Sequence, residues 1–380
     1  MSKAIKNKVV PKLRFPEFRE EQGWDELTLE DIGDRIDEKV GEQTLTTVSI
    51  SAGTGFVTQA EKFSRDISGQ QYKNYIVLRE GEFSYNKGNS KRFPQGCIYK
   101  LKEFKKVAVP NAFISFRIKN NFVANFYQGY FDNNFHGRQL QKFITSGARM
   151  DGLLNISPNN FFSIILPTPK NKSEQQKIAD CLSSLDELIT AENSKLEALK
   201  THKKGLMQQL FPAEGETVPR LRFKEFRDSG EWEQTILKHA GRMQAGKFVS
   251  AAEISEIKND KLYPCYGGNG LRGYTKSFTN NGSYSLIGRQ GALCGNVTLA
   301  DGQFHATEHA IVVTPEKNVE TLWLFYMLTH LNLNQYATGQ AQPGLSVDNL
   351  EKLEIKIPNS KHEQQIIADC LFSSDELIKT

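Results

Sequence analysis

The chain has 380 residues, 38% of them hydrophobic and 24% charged, with a formal net charge of +4. That length supports two domains with separate cores, and the balance excludes a disordered chain. No run approaches the roughly 18 apolar residues of a membrane span, and the basic opening MSKAIKNKVV lacks the apolar stretch of a secretory signal, so a cytoplasmic location is expected.

The first recognisable element is PKLRFPEFREEQGWDELTLEDIG, residues 11–33. It returns as PRLRFKEFRDSGEWEQTILKHAG, 219–241, with Leu13/Leu221, Arg14/Arg222, Phe15/Phe223, Glu17/Glu225, Phe18/Phe226, Arg19/Arg227, Trp24/Trp232 and Gly33/Gly241 identical. Next comes a stretch of short β-branched and aromatic runs broken by Gly, Asn and Ser, the pattern of a mixed sheet with long loops. A helix follows over 173–211. Pro169 lies upstream, and Ser173 with Gln176 is expected to form a capping box. Apolar residues recur in a 4-3 rhythm at Ile178, Leu182, Leu185, Ile189, Leu196, Leu199, Leu206 and Leu210, the spacing of a coiled-coil seam. Such a rod is about 58 Å long, and Phe211-Pro212 ends it.

After the second copy of the opening flag, 219–241, comes a second insert of strand-and-turn character that shares little with the stretch inserted after the first copy. The chain closes on HEQQIIADCLFSSDELI, 362–378, a near copy of SEQQKIADCLSSLDELI, 173–189. Ser360 with Glu363 is expected to cap this helix, and an antiparallel pairing with the first helix is the simplest way to keep two equivalent halves. Matched in register, Thr380 corresponds to Ala191, so the second helix has no counterpart to 192–211. A stunted helix, a shortened seam and a weaker docking site on that side are expected. The layout is therefore 1–168 and 213–358 as variable domains, 169–212 as a spacer helix and 359–380 as a truncated second one.

The five cysteines, Cys97, Cys181, Cys265, Cys294 and Cys370, are odd in number and form no CxxC pair, which argues against disulfides and zinc knuckles. Cys181 and Cys370 are expected to be buried on the apolar side of the repeated helix. GRMQAGKF, 241–248, fits a phosphate-binding loop except that Phe248 stands where a Ser or Thr would ligate magnesium, so nucleotide binding is not expected. His305 and His309 with Glu308 have metal-ligand spacing on a helix, but FHATEHAIVV reads as a strand, so no metal site is expected.

The P-x-LRF-x-EF openings, the two EQQ-x-IADCL…DELI helices, and YPCYGGNGLRGY, LIGRQGALCGNV and HATEHAIVV in the second insert together resemble the specificity (S) subunits of type I restriction–modification systems over nearly the whole chain. The resemblance implies an α+β fold. Two mixed α/β target recognition domains would be separated by long helices in an antiparallel coiled coil, with a pseudo-twofold, cyclic repeat. It further implies that each domain reads half of an interrupted duplex DNA target, and that the helices dock methyltransferase (M) subunits, two of them, with restriction (R) subunits completing the complex. The chain itself would be non-catalytic and without cofactor; S-adenosylmethionine, ATP and magnesium belong to the partners. The absence of any Pro-Pro dipeptide agrees, since adenine methyltransferases hold the flipped base with such a motif.

Bases are read by Arg, Lys, Asn and Gln, and phosphates are held by Lys and Arg. In the first insert the densest group is NKGNSKR, with Lys87, Asn89, Ser90, Lys91 and Arg92; Arg149 in SGARMDG and Arg138, beside Gln139, are further candidates. In the second, Arg289 and Gln290 lie between glycines, Arg272 and Lys276 precede them, and Gln340 and Gln342 sit in TGQAQPG, which matches 146–152. On the helix, Ile178, Leu182, Leu185, Ile189, Leu196, Leu199 and Leu206 are the partner-binding candidates. A two-lobed protein-binding scaffold remains the alternative. A single-strand binder is disfavoured, because the aromatics lie in strand-like runs and not among basic loops.

Overall fold

The computed structural model describes residues 9–88, 93–144, 153–339 and 343–380. The chain divides into two compact units, Met1–Thr190 and Ala191–Thr380, and the division falls inside the central helix, Lys172–Leu210.

In the first unit, strand Asp25–Thr28 pairs antiparallel with Ile165–Thr168. Thr28 then caps the short helix Leu29–Ile32, its hydroxyl accepting from Asp31 N while Asp31 accepts from Thr28 N. The chain passes into Gly33–Arg35, the edge of a four-stranded antiparallel sheet whose next strands in space are Ile114–Ile118, Phe83–Asn86 and Cys97–Lys100. Helices Ala124–Asp132 and Pro158–Phe162 contribute to the same core. Phe83 stacks on Phe116 at 5.3 Å and Tyr85 on Phe161 at 4.6 Å. Such ring pairs contribute about 0.5–1.5 kcal/mol each beyond the area they bury. Ala179 of the central helix joins this core. Two added strand pairs, Val48–Ser51 with Gly55–Thr58 and Ile76–Arg79 with Lys106–Val109, enclose a second cluster around Ile50, Leu78 and Val107.

The second unit repeats that frame. Glu233–Ile236 pairs with Glu354–Ile357, the short helix Leu237–Ala240 follows the first of them, and the sheet runs in the order Gly241–Ala245, Ala310–Pro315, Tyr284–Gly288, Val297–Ala300. Ser157 and Ser346 cap the equivalent short helices Pro158–Phe162 and Val347–Leu350 through their side chains. Leu210 and Phe211 share a core with Trp232, Trp323 and Leu324, and with Ile367 and Leu371 of the C-terminal helix, Lys361–Lys379.

What differs is the addition. Here it is a four-stranded sheet, Gly270–Thr275, Tyr263–Gly267, Gln303–Ala306 and Asn280–Asn281, in which Tyr263–Gly267 and Gln303–Ala306 run parallel. FHATEHAIVV is consequently not one strand, as the sequence suggested. Thr307 N donates to Tyr266 O and Ala310 N to Thr307 O, both at 2.9 Å, and this turn carries the chain from one sheet to the other.

Both helix starts also differ from the expected capping boxes. Asn171, not Ser173, caps the central helix, its Oδ1 accepting from Ser173 N at 2.9 Å. Gln176 instead donates to Asp180, one turn on, at 2.7 Å. Ser360, the counterpart of Asn171, makes no side-chain cap, and the Glu363 side chain, expected to reach back to it, is held by Arg222.

Candidate nucleic-acid interface

Each unit is locked to its helix by the same clamp. Arg14 Nε and Nη2 donate to the two carboxylate oxygens of Glu174, each at 2.7 Å, and Trp24 Nε1 donates to the first at 3.1 Å. Arg222 holds Glu363 at 2.8 and 2.9 Å, with Trp232 Nε1 at 3.2 Å. The neighbouring glutamines repeat as well: Gln175 accepts from Val123 N and Gln364 from Glu320 N, at the starts of equivalent helices. The repeated flags thus form one buried joint, which sequence reasoning took only as a signature.

Candidate loops emerge from equivalent places on this frame. In the first unit, Asn86 Oδ1 accepts from Gly88 N at 2.8 Å and its amide donates to Ile50 O, which sets the exit of the strand. Lys87 O then accepts from Leu154 N at 2.9 Å, and Gly88 bridges to Leu153. Residues 87–88 and 153–154 are therefore side by side. Asn89, Ser90, Lys91, Arg92 and Arg149 lie outside the described residues. Arg138 is exposed on the helix Phe135–Leu140, away from that bridge in sequence. Gln139 is structural: its carboxamide exchanges two 2.8 Å hydrogen bonds with the backbone of Ile165.

In the second unit, Arg289 O accepts from Leu345 N at 2.9 Å, Gly291 N donates to Pro343 O at 3.0 Å, and Gln290 bridges to Gly344. The chain leaving the third strand of the sheet again pairs through its backbone with the stretch that precedes the short capped helix. Gln340 and Gln342 lie outside the described residues. Arg272, Gln290 and His309 line one open cleft of about 610 Å³, floored by the glycines around 267–270 and 291. Lys276 is exposed just beyond the strand Gly270–Thr275, and Arg289 is half-buried.

His309 was passed over in the sequence, where it counted only toward a metal site. The sheet-switching turn is what brings it into the cleft, while His305 stays buried with Nε2 3.1 Å from Lys247 O. Among the described residues no group of three or more His, Cys, Asp or Glu is placed to hold a metal. The phosphate-loop-like stretch runs as strand Gly241–Ala245 and then packs on backbone. A Cβ at Gly246 would meet Ala306 O at 2.3 Å, and Lys247 N donates to Ala306 O. No helix N-terminus follows to cradle a phosphate; the next helical segment is the single turn Ala251–Glu253.

Burial on the central helix is concentrated at its ends. Ile178 packs against the first core and Leu206 against the second, and Leu196 and Leu199 are half-buried. Leu182, Leu185 and Ile189 are exposed by 44, 50 and 59%, with Leu188 beside them at 56%. Cys181 is exposed too, and Cys370 only half-buried, contrary to the expected buried thiols. Ala179 is the last residue of the helix buried in the first core, and Asp180, Cys181 and Leu182 are all exposed.

Two units of one sheet order, each with the same loop pair and the same Arg–Glu–Trp clamp, define a duplicated α+β protein of two like modules. The chain belongs to the family described as the type I restriction modification DNA specificity domain, which matches residues 21–201 and 230–380. It is 48% identical over 149 residues to the specificity subunit of the type I restriction enzyme EcoprrI from Escherichia coli. That alignment takes in 39% of this chain and 37% of the relative, so the chain spans little more than a third of that protein. With the specificity subunit of the type I restriction enzyme MjaVIII from Methanocaldococcus jannaschii it shares 25% identity over 316 residues, 72% of this chain and 69% of the other. The crystal structure of a type I restriction–modification S subunit from M. genitalium has the same fold, with a TM-score of 0.65 at 15% identity over 98% of this chain and 93% of that one.

Proposed function

We propose that this chain is the non-catalytic specificity subunit of a type I restriction–modification complex. Each unit reads one half of an interrupted duplex DNA target through its paired loops, and the exposed face of the central helix recruits the partners. The observation that carries the reading is the recurrence of one loop pair on two copies of a frame whose other additions differ. A shared scaffold with divergent loops is what two readers of different half-sites require, because sequence is read by side chains on base edges and not by the frame. The partners are two methyltransferase subunits and the restriction subunits, with S-adenosylmethionine, ATP and magnesium bound there, in the cytoplasm.

Methylome sequencing of a host carrying this subunit with its methyltransferase partner tests the proposal. N6-methyladenine at one bipartite motif is the expected result. Methyl transfer by the purified chain alone would refute the non-catalytic role. Assembly without any preference among DNA sequences would favour the scaffold reading.

A further inference from the structure

We propose that His309 is a positioning residue for base reading in the second unit: it anchors the carboxamide of Gln290 and so selects the bases that Gln290 accepts. The inference rests on the DNA-reading function proposed above. His309 Nδ1 lies 3.1 Å from Gln290 Oε1, across the cleft that Arg272 also lines. On its other side, Nε2 lies 3.2 Å from Glu308 Oε1; a neutral ring, with one N–H, donates either to Gln290 or to Glu308, and only the imidazolium donates to both. The backbone is tied as well, since Arg289 N donates to His309 O at 2.8 Å. Gly268 packs against both backbones: a Cβ there would meet His309 O at 3.2 Å and Gln290 O at 3.3 Å. The histidine and the glutamine are therefore held together by the frame, while the Gln290 side chain stays exposed.

A free glutamine pairs bidentately with adenine, using its carbonyl on N6 and its amide on N7. When Nδ1–H of His309 holds the carbonyl, the NH2 group is the end left to the DNA. A donor alone suits the acceptor edges of guanine (O6, N7) or thymine (O4). Removing the anchor lets the carboxamide rotate and admits adenine.

The test is selection from a duplex library randomised over the target, using the full chain assembled with its methyltransferase partner. His309→Ala should lower discrimination about tenfold at one target position, admitting adenine there, and leave the other half-site unchanged. Gln290→Ala should alter that same position. His309→Phe, which keeps a ring but cannot donate, should behave as His309→Ala, and His309→Asn, whose amide can donate to Gln290 Oε1, should restore the preference in part. Wild-type preference in both His309→Ala and His309→Phe, or a change at a position that Gln290→Ala does not touch, would overturn the inference while leaving DNA reading intact. A wild-type complex that enriches no sequence would overturn both.

Discussion

Arg14 closes on Glu174 with Nε and Nη2, one edge of its guanidinium, and 208 residues later Arg222 closes on Glu363 in the same way. The arginine comes from one repeated flag and the glutamate from the other. Neither flag makes this joint without its mate, which is why the two recur as a pair although the inserts between them differ.

The side chains of Arg14 and Glu174 are 7 and 1% exposed. Arg14→Ala leaves a buried carboxylate without its counter-charge, and a loss of about 3–5 kcal/mol is expected. Arg222→Ala should act alike on the second unit. Urea unfolding of the two variants measures this, and a loss under 1 kcal/mol would contradict the clamp.

His136 gives the first unit a pH dependence. It is 1% exposed, between Tyr85 and Phe131, and burial lowers its pKa from 6.5 to about 4. The unfolded chain therefore takes up a proton near pH 6.5 that the folded chain refuses until about pH 4. Stability is complete above pH 6.5 and falls with pH through that window, by about 3 kcal/mol from this residue at most. His136→Phe should remove this part of the slope, which equilibrium unfolding at pH 7, 5.5 and 4.5 would show.

Arg289, Arg272 and Lys276 can be sorted by salt. An alanine at a base contact should weaken binding of the cognate site by about 1–3 kcal/mol and relax one position. One at a phosphate contact should weaken all sequences alike and reduce the salt slope by about 1. Arg289 emerges from the loop pair and is expected in the first class, Lys276 in the second. Titrating binding against salt on cognate and scrambled duplexes decides each.

The open face of the central helix gives a cleaner separation of folding from assembly. Leu185→Glu with Ile189→Glu changes residues that are 50 and 59% exposed, so stability should shift by no more than about 0.5 kcal/mol per substitution. Recruitment of the methyltransferase subunits should be lost. Size-exclusion chromatography of the mixed subunits measures this, and an unchanged complex would place the docking face elsewhere.

The sequence by itself determined the duplicated frame, the long helix and the loops that carry Arg289 and Gln290. Each is written in a local signal: a repeat, a heptad rhythm, or a cation or amide between glycines. Three things were decided only in three dimensions. Asn171 caps the central helix, Ser360 makes no side-chain cap on the last, and Glu363 is drawn to an arginine 141 residues away and not back to its own helix start. A shared sheet order lies beneath two inserts with little sequence in common, since an antiparallel sheet asks only for an apolar face and admits many residues on it. Finally, His309 meets Gln290 because Thr307 turns the chain between two sheets, a long-range pairing for which no spacing along the chain is a sign.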